Sequence, residues 1–128
     1  MFCMATHKNL LAFRKSYQLG LAILRSTEHW PKREMFGLAS QARRASTSIS
    51  INIAEGVAKR GRKELRRYLD IALGSLAEVQ VLICFALDMK FISQQEGAEL
   101  EALREESSRL VWGLYKTTIA GLGRPNAS

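Results

Sequence analysis

Six cations fall within nine residues of this chain: Lys59, Arg60, Arg62, Lys63, Arg66 and Arg67. Guanidinium and ammonium groups at this density hold phosphate oxygens by releasing counterions, a chemistry that needs no base-reading geometry. Tyr68 is the one aromatic residue beside them, and no recognition-helix, zinc-finger or RNA-recognition motif accompanies them. Base stacking and sequence-specific readout are therefore not expected. Lys59 and Arg60 are expected to end a helix, where the dipole favours cations, whereas Arg62 and Lys63 are expected to begin the next, where it disfavours them. Cations set against a helix dipole point to an external anion, with a solvated turn as the alternative. The predicted chemistry is weak to moderate, salt-dependent binding of RNA or DNA.

The residues that carry covalent or metal chemistry are sparse. His7 and His29 have no Asp, Glu, Cys or Ser at a nucleophile or metal-ligand spacing. The Glu-x-x-His pattern of di-iron bundles and phosphate-cradling glycine loops are both missing. The expectation is no enzyme, no metal and no cofactor. Cys3, in a loose tail, and Cys84, in an apolar helix, suit reduced thiols rather than a disulfide framework. The opening residues lack a secretory pattern. The longest apolar run, Ile71 to Leu87, is interrupted by Ser75, Glu78 and Gln80 and bordered by Asp70 and Asp88, so no membrane span is expected. A cytoplasmic location follows as an expectation.

The elements that must position these groups are helices. The 128 residues are 47% hydrophobic, with two Pro and nine Gly and a net charge of +7, which suits one all-α domain. We expect a flexible tail over 1–8, a four-helix bundle over 9–121 and a second tail over 122–128. The first helix is expected to be N-capped by Asn9 and to bury Leu10, Phe13, Tyr17, Leu21 and Leu24. Pro31 suits the first turn of a second helix, which buries Met35, Leu38, Ala42, Ala45, Ile49, Ile53 and Val57 and ends by Gly61 in a left-handed conformation. The third helix is the clearest, with Leu65, Leu69, Ala72, Leu76, Val79, Ile83 and Ala86 alternating spacings of four and three. Ser93 and Glu96 have the spacing of a capping box for the fourth helix, whose Leu100, Leu103, Leu110, Leu114 and Ile119 are expected inside. Short connections give an antiparallel up-down-up-down bundle.

The third helix has more apolar surface than one row requires. Ile71, Val81 and Phe85 lie off its seam, so it needs a second cover, supplied by a wide core or by another subunit. Polar residues also fall at inward positions. If helices two and three fold back about Gly61, facing residues have numbers that sum to 121 or 122. This rule places Arg44 beside Glu78, Asn52 near Asp70, and Glu55 near Arg66 or Arg67, with Gly74 and Ser75 facing Ala45 to Ser48. These groups are expected to form a structural polar network rather than a catalytic one.

The segments Gln41-Ala42-Arg43-Arg44, Asn52-Ile53-Ala54-Glu55-Gly56 and Gly74-Ser75-Leu76-Ala77-Glu78 occur in an order and spacing that resembles the bacterial four-helix bundle proteins first noticed as products of intervening sequences in large-subunit ribosomal RNA genes. The resemblance runs from about Leu10 to Gly121. It implies an antiparallel bundle assembled as a ring-like homopentamer, with no established enzymatic activity. The motif residues Arg44, Asn52, Glu55, Gly56, Ser75 and Glu78 carry over without an assigned role. More distantly the chain is similar to accessory proteins of diversity-generating retroelements, which bind nucleic acid and a reverse transcriptase. The functional expectation is a non-enzymatic oligomer that binds nucleic acid at the turn between helices two and three. A structural oligomer that docks a protein partner is the alternative.

Overall fold

A computed structural model describes residues 7–119, with α1 at His7–Thr27, a 3-10 turn at Lys32–Glu34, α2 at Leu38–Ala58, α3 at Arg62–Asp88 and α4 at Gln94–Ile119. No strand occurs among the described residues. The packed pairs are α1 with α2, α2 with α3, α3 with α4, and α4 with α1, so the helices occupy the corners of a square. Successive helices alternate in direction, as contacts between α2 and α3 show: Gln41 reaches Glu78, and seven residues later Ser48 reaches Ser75. The tail expected at 122–128, and residues 1–6 with Cys3, lie outside the described residues.

The α3 row forms as its spacing dictates. Leu69, Ala72, Leu76, Val79, Ile83 and Ala86 are all buried, and Leu65 packs partly against them. By length and composition α3 is apolar enough to cross a membrane. It instead lays this row against α2 and α4. Ser93 caps α4 as its position predicts, with its Oγ accepting the Glu96 N–H at 3.0 Å.

Elsewhere the inward faces differ from the expected ones. Helix α1 begins at His7, so Asn9 lies inside it and is buried rather than capping it. Its innermost row is Asn9, Ala12, Ser16, Leu19 and Ile23, while the expected row lies on the flank: Tyr17 is 52% exposed and Leu10, Phe13, Leu21 and Leu24 are half-buried. The centre mixes Leu19 and Ile23 with the smaller Ala12 and Ser16, where α1 approaches its neighbours closely. A Cβ on Gly20 would stand 3.4 Å from the Ser46 carbonyl oxygen. Pro31 introduces the 3-10 turn instead of α2, which starts at Leu38 and leaves Met35 exposed. In α4, Arg104 and Ser107 are buried with Leu100, Val111 and Leu114, whereas Ile119 is exposed and Leu103 and Leu110 are half-buried. Arg104 is tolerated there because Glu101 receives it through two hydrogen bonds of 2.9 and 2.7 Å. That partner raises the guanidinium pKa above its ordinary value, against the opposing effect of burial.

A layer of hydroxyls crosses the bundle at mid-height. Ser16, Ser48, Ser75 and Ser107 each sit within a residue of the midpoint of their helix. Ser16 and Ser107 are bonded at 2.6 Å and fully buried, and Ser48 and Ser75 are bonded at 2.9 Å. Small side chains here let the helices approach, and pairing satisfies the hydroxyls that burial would otherwise strand. Nearer the α2–α3 turn, a Cβ on Gly56 would lie 2.9 Å from the Tyr68 Cβ and 3.1 Å from Leu65 Cδ1, so this crossing requires glycine. Gly61 closes the turn at φ +100° and ψ 152°, a conformation open to glycine, and stands at the start of α3 rather than at a left-handed end of α2.

Candidate nucleic-acid interface

The three-residue connection Lys59–Gly61 carries the cation cluster to one end of the bundle. Lys59 follows the last residue of α2, and Arg62 and Lys63 open α3, so the helix-terminal placements match those read from sequence. No side chain caps α3, although Glu64 lies in its first turn.

Five of the six cations divide by role. Arg66 Nη1 donates to the Thr118 carbonyl at 3.3 Å, tying the start of α3 to the last turn of α4. Arg67 pairs with Glu64 at 3.3 Å and lies over the Tyr68 ring at 4.6 Å. The Glu64 hydrogen bond is the main reason its pKa rises above the ordinary value. Lys59, Arg60 and Lys63 are exposed, and among the described residues no carboxylate pairs with them.

Helix direction adds charges that the linear cluster did not include. On the turn side of the serine layer, residues 9–15, 49–74 and 108–119 hold ten Lys or Arg against three Asp or Glu. On the other side, residues 17–47 and 76–106 hold seven against nine. Arg14, Lys15, Arg109 and Lys116 therefore belong to the basic half, which sequence reading missed because the gathering depends on height in the bundle. Two of these are partly neutralised, since Glu106 reaches across the layer to Lys15 at 3.1 Å and Arg109 at 3.7 Å.

The expected ion pairs between α2 and α3 do not form. Glu78 accepts a hydrogen bond from Gln41 at 3.3 Å, while Arg44 is exposed and unpaired among the described residues. Asn52 donates to the Ser48 carbonyl and hydroxyl at 2.8 and 2.9 Å rather than reaching Asp70. Glu55 is exposed and pairs with neither Arg66 nor Arg67. A number sum fixes the height at which two residues meet but not the angle around each helix. Arg44, Ile51 and Glu55 share the outward face of α2, whereas Gln41, Ser48 and Asn52 share the face toward α3. Ser75 does meet α2, through Ser48, but Gly74 points outward, with nothing within 4 Å of a Cβ built on it.

Ile71, Val81 and Phe85 lie on the outward face of α3, 43%, 53% and 53% exposed. The described residues therefore do not form the wide core that would cover this surplus apolar surface of α3.

Of the three segments 41–44, 52–56 and 74–78, the first and third meet through Gln41 and Glu78, while Gly56 meets Tyr68 and Leu65 nearer the turn. The model of the 23S rRNA-intervening sequence protein family matches residues 8–113. The chain belongs to that family. A solved structure of a protein with unknown function from the S23 ribosomal protein family of Bacteroides thetaiotaomicron is similar in fold. It is 21% identical with a TM-score of 0.79, covering 85% of this chain and 98% of that one. No curated protein matches the chain. The solved structure shares the fold described above.

Proposed function

We propose that this protein is a non-enzymatic, self-associating bundle that binds RNA or DNA without sequence preference through its basic end. The observation that carries the reading is the concentration of ten cations against three carboxylates in one half of the molecule, with Lys59, Arg60 and Lys63 at its tip and unpaired among the described residues. Cations that fold stability does not use, set beside an uncapped helix start, suit a polyanion. The exposed stripe of Ile71, Val81 and Phe85 supports self-association. A homopentamer, the assembly that the resemblance implies, would bring five basic ends together and raise affinity by avidity.

The reading is tested by light scattering after size exclusion, with and without nuclease, followed by fluorescence anisotropy of a labelled RNA and a labelled DNA duplex at several salt concentrations. An oligomer that co-purifies with nucleic acid, and whose affinity falls steeply with salt, is the expected result. Absence of binding at low salt overturns the proposal. A protein-docking scaffold is the second reading, favoured by Phe36, which is 91% exposed between α1 and α2. Its complexes should survive about 300 mM salt, where phosphate contacts weaken.

A further inference from the structure

We infer that Trp112 is a stacking platform at the basic end and that the nucleic acid it serves is single-stranded. This rests on the nucleic-acid binding proposed above and names the form of the ligand. Along the chain Tyr68 is the one aromatic beside the cation cluster. The fold adds the second half of α4, where Trp112 and Tyr115 stand between Arg109 and Lys116 and no carboxylate occurs from Ser108 to Ile119. The Arg66 bond to the Thr118 carbonyl sets the last turn of α4 level with the first turns of α3. Trp112 lies six residues before Thr118, about 9 Å along the helix, and so within the basic half.

The indole is both braced and open. Its ring meets Tyr115 edge-on, with centroids 5.3 Å apart and planes at 72°, and Tyr115 packs against the core. Trp112 is nevertheless 48% exposed. Gly113 leaves the backbone beside it bare, with nothing within 4 Å of a Cβ built there. From Trp112 a cleft of about 530 Å³ runs back along α4 past Arg109 and Ser108 to Glu105 and Glu106. That is room for a nucleobase, a flat group that stacks on an indole.

Charge sets which way the strand runs. Arg109 and Lys116 share the exposed face of α4 with Trp112, three residues before it and four after. Glu106 holds Arg109 at 3.7 Å, whereas no carboxylate among the described residues pairs with Lys116. With Glu105 and Glu106 at the far side of the cleft, phosphates are drawn the other way, past Lys116 to Lys59, Arg60 and Lys63 at the tip. A duplex keeps its bases inside and meets the cations alone. An unpaired base offers a face to the indole whatever its identity, so stacking adds affinity without adding sequence preference. RNA and DNA strands present similar bases and the same phosphates, and separate probes tell them apart.

The test sets the full chain against labelled oligo(U), oligo(dT) and a DNA duplex in fluorescence anisotropy, with light scattering for mass and urea unfolding for the fold. Trp112→Ala should weaken binding of at least one single strand about tenfold and leave the duplex affinity, the mass and the fold unchanged. Trp112→Phe, which keeps a ring, should retain most of the single-strand affinity. Lys116→Gln should shrink the single-strand salt slope by about 0.7. Bound strands should also quench tryptophan emission from Trp112, because Trp30 is buried out of reach of a base. If Trp112→Ala weakens strand and duplex alike, or changes the mass, the residue serves the fold or a contact between copies and the inference is overturned. If it changes nothing while Lys59→Gln, Arg60→Gln and Lys63→Gln together weaken binding, stacking fails and the basic-end reading stands. If the unmodified chain binds neither strand nor duplex, that reading fails as well.

Discussion

Replacing Lys59, Arg60 and Lys63 together by glutamine separates cations held for an external anion from those held for the fold. No carboxylate among the described residues engages these three. If each neutralises one phosphate, the slope of log affinity against log salt should shrink by about 0.9 per residue on duplex DNA, or about 2.7 in all, and by about 0.7 per residue on single strands. Between 50 and 200 mM salt each contact is then worth about 3.5-fold on a duplex, and the three together about 40-fold. Fluorescence anisotropy at several salt concentrations reads the slope directly. Arg66→Gln is the control: it loses the 3.3 Å bond to the Thr118 carbonyl, so it should lower the unfolding free energy by about 1 kcal/mol and leave the slope nearly unchanged. The reasoning is refuted if the triple variant keeps the parent slope, or if Arg66→Gln reduces it as much as the triple variant does.

Three stability predictions follow from packing. Gly56→Ala should destabilise the fold by about 1–2 kcal/mol in urea unfolding, because the 2.9 Å contact with Tyr68 Cβ outweighs the gain in helix propensity; a variant as stable as the parent would show that α2 and α3 can separate freely there. Gly74→Ala should have the opposite sign, stabilising the dissociated chain by about 0.5–1 kcal/mol, since the added methyl meets nothing. Ser107→Ala should cost about 1 kcal/mol by leaving the buried Ser16 hydroxyl without its partner, and adding Ser16→Ala should cost less than a second independent loss. Strict additivity in that cycle would argue against the bond.

The parts of the fold legible in sequence are those where burial selects large apolar side chains. The α3 row is one, because its inward face is filled by Leu, Val and Ile with Ala between them. Helix α1 is the counter-example: Asn9, Ala12 and Ser16 share its innermost row with Leu19 and Ile23, and the expected Leu10, Phe13, Tyr17, Leu21 and Leu24 lie on the flank. Ser107 and Arg104 hid the inner row of α4 for the same reason. At the site, the helix-terminal placement of Lys59 to Lys63 was readable from the dipole argument and from Gly61. The structural duty of Arg66 was not, because Thr118 lies 52 residues away in the chain and nothing local signals the contact. The failed Arg44–Glu78 pair shows that hairpin register needs helix phase as well as residue count.

The paired hydroxyls at mid-height also bear on how the chain selects one alignment among several. Sliding α2 along α3 by one turn displaces Ser48 from Ser75 by about 5.4 Å, and the same slip between α1 and α4 separates Ser16 from Ser107. Apolar rows of similar width tolerate such a slip with modest loss, whereas stranding the fully buried Ser16 or Ser107 hydroxyl costs about 1–3 kcal/mol, and the half-buried Ser48 and Ser75 less. The serines thus discriminate against misaligned hairpins more than they strengthen the correct one. Substituting them by alanine should broaden the range of alignments sampled during collapse even where the final structure survives.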